Sequence, residues 1–151
     1  MNKNQDLEKA RGFDVWWLVG RTNMKVHRVL SQLLGELDLT LAQHDILVVI
    51  WQSPDITQQQ LAEKLLVVKS NISALVAKLE KRGLLERIPD PSDNRNKRLT
   101  LSSDGEKLVI KSLEIQNQVI ERMVATVDDT DLEYIDRIMK RVGIVLDEML
   151  A

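Results

Sequence analysis

The stretch from Thr57 to Leu101, TQQQLAEKLLVVKSNISALVAKLEKRGLLERIPDPSDNRNKRLTL, decides the fold. It opens with Thr57-Gln-Gln-Gln60, a capping-box pattern that starts a short helix with Leu61 and Leu65 on its inner side. A tight passage through Val67-Val68 leads to a second helix. Its apolar row is Ile72, Leu75, Val76 and Leu79, at spacings of three, one and three. Gly83 follows where a helix C-terminus favours a left-handed residue. Leu84 to Ile88 then reads as a strand, Pro89 to Asn94 as a turn, and about Lys97 to Leu101 as the returning strand of a hairpin. Short helix, tight turn, helix and hairpin, preceded by one more helix, form the pattern of a winged helix-turn-helix. The second helix of such a pair fits the major groove of B-DNA, which is wide enough for one α-helix.

Working outward, Thr40-Leu-Ala-Gln43 is another capping box. The helix it opens carries Leu47, Val48 and Trp51 and ends near Ser53-Pro54-Asp55. From about Phe13 to Glu36 apolar residues line two helical faces, one with Val15, Val19, Val26, Val29 and Leu33, the other with Phe13, Trp17, Met24 and Leu34. A helix apolar on two sides is usually covered on both. After the hairpin, Ser103-Asp-Gly-Glu106 is read as the cap of a long helix with a seam at Val109, Leu113, Gln116, Ile120, Met123 and Val127. Thr130-Asp-Leu-Glu133 is read as the start of a last helix with a seam at Leu132, Ile135, Met139, Val142, Leu146 and Met149. Two such seams joined by a short turn predict an antiparallel helical hairpin, with part of its surface left for a second subunit. The expectation is one mainly α domain over residues 1–151 with a small β-hairpin wing. A lobe at about 39–101 is flanked by pairing helices at 10–36 and 103–150.

Bulk properties narrow the function. The 151 residues are 44% hydrophobic and 29% charged, ordinary for a globular domain. There is no cysteine, which excludes thiolate metal sites, cysteine nucleophiles and thiol redox sensing. No apolar run has the length of a membrane span, and the polar start MNKNQDLEKAR does not read as a secretory signal, so a cytoplasmic protein without membrane contact is expected. The net charge of −2 hides an asymmetry. Between Lys69 and Arg98 eight basic residues stand against four acidic ones, a net of +4, which leaves −6 for the rest. A local basic patch governs phosphate attraction more than the sum does.

On the helix after Val68 the polar side holds Lys69, Ser70, Asn71, Ser73, Ala74 and Lys78. Serine and asparagine bond base edges or phosphates, alanine meets a thymine methyl, and lysine neutralises phosphate. Any surface helix has a polar side, so the hairpin carries more weight. Asp93-Asn-Arg-Asn-Lys-Arg98 places Arg95, Lys97 and Arg98 on one loop, with Asp93 able to orient Arg95. An arginine at a wing tip suits the narrow, electronegative minor groove.

These segments resemble the MarR family of bacterial regulators. The resemblance is carried by Gln60-Leu-Ala-Glu-Lys-Leu65, by Leu79-Glu-Lys-Arg-Gly-Leu-Leu-Glu-Arg87, and by Asp90-Pro-Ser-Asp-Asn-Arg-Asn-Lys-Arg-Leu-Thr-Leu101 followed by Gly105. It covers about Leu39 to Gly105, and the flanking helices extend the architecture. It implies a homodimer joined through the N- and C-terminal helices and a palindromic double-stranded operator with one recognition helix per half-site. It also implies that Arg95 is the wing arginine and Asp93 its partner, and that Lys69, Ser70, Asn71, Ser73 and Lys78 fall on the recognition helix. Small aromatic or anionic effectors of this family bind between the pairing helices and the DNA-binding lobe, which makes Trp16, His27, His44 and Trp51 candidate pocket residues. One departure is Val68, where many relatives carry a Ser or Asp cap; here the cap comes from Ser70 or is missing.

Other sites are set aside. His27 and His44 are the only histidines, too few for a zinc site without further ligands. The acids Asp128, Asp129, Asp131, Glu133 and Asp136 gather at a helix start, where the macrodipole favours them. No glycine-rich phosphate loop or nucleophile elbow is present, so no enzyme activity, metal or cofactor is expected. A protein-interaction adaptor that kept the fold without DNA contacts is the competing reading, and the basic count from Lys69 to Arg98 argues against it.

Overall fold

The computed structural model describes residues 10–66, 69–90 and 93–151, with the side chains of residues 69, 70 and 93–96 outside that description. Among the described residues, six helices and three strands follow in the order α1 (Phe13–Gly35), α2 (Leu41–Gln52), β1 (Ile56–Thr57), α3 (Gln58–Lys64), α4 (Lys69–Lys81), β2 (Leu85–Asp90), β3 (Asp93–Leu101), α5 (Ser103–Val124) and α6 (Asp129–Leu150). This is the mainly α winged-helix architecture expected, with a three-stranded sheet where a two-stranded hairpin was read. One compact unit ends at Ser112 and a second runs from Leu113 to Ala151.

The core of the first unit is built by α2, α3, α4 and the sheet. Ile46, Leu47 and Ile50 of α2, Leu61 of α3, Ile72, Val76 and Leu79 of α4, and Leu85 and Leu99 of the strands are almost wholly buried. Each contributes about 1.5–3 kcal/mol by leaving water, which locks α4 against the lobe along one face. Of the residues read on α2, Leu47 points inward together with Ile46 and Ile50, while Trp51 is 45% exposed. The helix is apolar on nearly every side, so periodicity alone does not select its inner face.

Both threonine caps form as read. Thr40 accepts from Gln43 N while the Gln43 side chain accepts from Thr40 N, and Thr57 and Gln60 repeat the exchange. Gly83 adopts φ 71°, the left-handed residue required after α4. The sheet order is β1-β3-β2, antiparallel throughout, with Ile56 opposite Leu99 and Leu85 opposite Leu101. The wing strands reach further than read, to Asp90 opposite Asp93, with a bulge between Pro89 and Asp90.

Two helix starts are corrected. Ser102, not Ser103, caps α5: its Oγ accepts from Gly105 N at 3.1 Å and donates to Gly83 O at 2.6 Å. Asp128, not Thr130, caps α6, accepting from Asp131 N at 2.8 Å. In the second unit, Leu113 onward, α6 has no buried residue among those described. No helix among the described residues is long and apolar enough to cross a membrane.

Candidate DNA-binding interface

The α4 helix separates its two faces cleanly. Ile72, Val76 and Leu79 face the core, and Asn71, Ser73, Ala74 and Lys78 are exposed. Lys69 and Ser70 form the start of α4, with side chains outside the described residues; Val68 also lies outside them. Ser70 is already helical, so it stands within the first turn rather than before it.

The wing is anchored at its base. Arg98 Nε lies 3.0 Å from Asp90 Oδ2, and Nη2 donates to Asp90 Oδ1 at 3.2 Å, a two-pronged pair. Asp90 is buried, and its hydrogen bond and charge hold Arg98 more firmly protonated, with Asp55 adding to the effect. Arg98, read as a DNA contact, thus braces one strand against the other. Lys97, its neighbour, is exposed. Asp93 and Arg95 begin β3, and their side chains, with the pairing expected between them, lie outside the described residues.

Other cations of the basic stretch have structural partners. Arg82 donates from Nη1 to Asp38 O at 2.7 Å, and Arg87 Nε lies 3.0 Å from Glu80 Oε2. Lys78, Lys81 and Lys97 of the same stretch are exposed. Sequence reasoning missed Asp90, whose partner sits across the hairpin, and Gln58, whose Nε2 donates to Ser73 Oγ at 2.5 Å.

The four residues considered for an effector pocket have different surroundings. Trp16, His27 and Trp51 are exposed. His44 is buried, with Nδ1 2.9 Å from Ser112 Oγ, and Ser112 donates to Val109 O at 2.9 Å. Because the serine's only hydrogen goes to Val109, its oxygen accepts from His44, which places a proton on Nδ1. His44 therefore ties α2 to the first turns of α5.

A cavity of about 210 Å³ lies between α2, α3 and α4, lined by Asp45, Ile46, Leu65, Asn71 and Leu75 among others. Partial burial raises the Asp45 carboxyl above its ordinary value, opposed by His44 and His27. A raised acid pKa means the folded state favours the protonated form. That contribution is fully present below the unfolded pKa and is lost as pH rises through the folded one. Asp45→Asn is therefore expected to raise the melting temperature at pH 7, by about 1–2 °C for this partly solvated group. The gain should vanish near pH 3.5; a gain that persists there in a pH series of thermal melts would contradict this assignment.

The comparisons with known proteins agree with this geometry. The MarR family model matches residues 39–97, which span α2, α3, α4 and most of the wing. The transcriptional regulator HosA of Escherichia coli O111:H- is 28% identical over 104 residues, covering 69% of this chain and 77% of HosA. An uncharacterised HTH-type transcriptional regulator of Bacillus cereus (strain ZK / E33L) is 31% identical over 99 residues, 66% of this chain and 65% of that one. The S. aureus MepR–DNA complex shares the fold with a TM-score of 0.80 at 23% identity, over 85% of this chain and 96% of that one. A helix locked by Ile72, Val76 and Leu79, a wing braced by Asp90 and Arg98, and these likenesses converge on one lobe: over residues 39–97 the chain matches the MarR family model and is similar to transcriptional regulators of that family.

Proposed function

We propose that this regulator is a repressor that binds a palindromic double-stranded operator as a homodimer. The observation that carries the reading is the α4 surface: Asn71, Ser73, Ala74 and Lys78 stand outward on a helix whose opposite face is fixed in the core. A rigid helix can present donors to base edges without first losing conformational freedom. The wing extends from the same lobe and carries Arg95 near its tip, at the minor-groove side of such a docking. That a protein of the same fold is solved as a DNA complex supports the reading.

Two subunits place their recognition helices in successive major grooves, about 34–36 Å apart. Apolar surface for pairing is available on both flanking regions. The start of α1 carries an exposed aromatic cluster in which the Phe13 and Trp17 rings stack at 6.4 Å, and α6 exposes Ile135, Met139, Val142 and Leu146. A small aromatic or anionic effector, held near Trp16, His27, His44 or Trp51, would alter the separation of the two recognition helices and so release DNA.

The test is a salt titration of binding to the DNA upstream of the protein's own gene. Arg95→Ala is expected to weaken binding about tenfold and to lower the slope of log affinity against log salt by about one. An unchanged slope and affinity would remove Arg95 from the interface. Absence of any retained duplex in a genomic-fragment gel shift would favour a protein-interaction adaptor instead.

A further inference from the structure

Ser73 stands exposed on α4, and the group that holds its hydroxyl belongs to another helix. Gln58 is the first residue of α3, and its Nε2 donates to Ser73 Oγ at 2.5 Å. The Gln58 backbone is itself fixed, because Thr57 and Gln60 on either side of it exchange capping hydrogen bonds. Gln58 is half-buried at the junction of the two helices, so the bond forms at the edge of the lobe without a large loss of hydration.

A lone serine hydroxyl on a helix is a poor reader of sequence. It samples several rotamers, turns back readily to a carbonyl one turn earlier, and offers either a donor or an acceptor to whatever lies opposite. Donation from Gln58 removes these freedoms. It holds the oxygen in one rotamer and occupies one lone pair, which leaves the hydroxyl hydrogen free to be donated to a base edge. A donor fixed in the major groove favours the acceptor edges of guanine N7 and O6, adenine N7 and thymine O4. It disfavours the amino group of cytosine.

We infer that Gln58 is a specificity-determining positioning residue, acting through Ser73 to set which base is read beside α4. The inference rests on the reading of α4 as the recognition helix.

The experiment is selection of bound duplexes from a random pool by the full-length protein, followed by sequencing. The variants are Gln58→Met, which keeps the length and removes the donor, Ser73→Ala, and the two combined. Wild type should enrich an inverted repeat. Gln58→Met should lose about fivefold to tenfold discrimination at one position in each half-site, the same position that Ser73→Ala flattens. The double variant should match either single one. Gln58→Glu keeps a partner for the hydroxyl but reverses the bond, so Ser73 would present a lone pair. Preference at that position should then move toward bases that offer an amino group. Gln58→Met with the wild-type preference at every position, or with a uniform loss of affinity only, overturns the inference and leaves the regulator reading intact. Loss at a position Ser73→Ala does not affect overturns it as well. A wild-type protein that enriches no sequence overturns both.

Discussion

Gly105→Ala is expected to lower the melting temperature by about 6–16 °C. A methyl added at this glycine would overlap the Leu84 carbonyl oxygen and lie 2.9 Å from the carbonyl carbon. Neither partner is a flexible side-chain end. The same carbonyl accepts from Ser102 N at 3.1 Å, and Ser102 Oγ caps Gly105 N. The first turn of α5 therefore cannot move away without breaking its own cap and its link to the base of the wing. Overpacking of this kind costs about 1–3 kcal/mol and sometimes more, and a lost cap about 1 kcal/mol. Together they reach about 3–4 kcal/mol, a large part of the roughly 5–15 kcal/mol of a whole domain. For a chain of this size each kcal/mol moves the midpoint by about 2–4 °C. Gly35→Ala is the control, since its methyl meets nothing within 4 Å and should leave stability unchanged or slightly raised. Urea and thermal unfolding of both variants decide the matter; a Gly105→Ala midpoint within about 2 °C of wild type would show that α5 can yield there.

The same corner shows what the sequence discloses and what it withholds. Ser103 with Glu106 has the better local capping pattern, yet Ser102 caps the helix because its backbone N–H and hydroxyl also reach Leu84 and Gly83. A tertiary contact outweighs a local preference. Thr40 and Thr57 face no such competition, and their capping boxes form as the pattern says. Helix α4 was legible for a related reason: its apolar residues keep to one side, so periodicity alone sorts Ile72, Val76 and Leu79 from Asn71 and Ser73. In α2 apolar residues surround the axis, so the pattern does not separate the buried Ile46, Leu47 and Ile50 from the exposed Trp51. Strand β1, two residues long, has no periodicity to read; it exists because Ile56 and Thr57 pair with Leu99 and Arg98. The partners Gln58–Ser73 and Asp90–Arg98 were hidden because a hydrogen bond across two elements depends on their packing, not on spacing along the chain. A count of cations likewise does not disclose that Arg82, Arg87 and Arg98 each have a protein partner.

On the proposed homodimer and operator, Val142→Asp combined with Leu146→Asp is expected to give a monomer and to weaken operator binding at least about 100-fold. Both residues lie on α6, 46% and 52% exposed, within a row that includes Ile135, Met139 and Met149. A row of this length is more than an isolated soluble chain usually leaves in water. If a second copy covers it, each subunit buries the row, and two carboxylates placed there lose hydration without gaining a partner. That penalty is several kcal/mol per buried charge, enough to outweigh the pairing. The loss of DNA affinity follows from valence. A dimer engages its second half-site intramolecularly, a gain of about 10²–10⁴ that a monomer forgoes. Light scattering measures the mass, and fluorescence anisotropy on a full operator and on a single half-site measures the affinity. The variant should bind both duplexes alike, with the affinity of wild type for the half-site, because α4 and the wing are unchanged. Far-UV circular dichroism should keep the helical signal, which separates loss of pairing from loss of fold. A folded double variant that remains dimeric and holds the full operator as tightly as wild type would show that this face of α6 is not where the subunits meet.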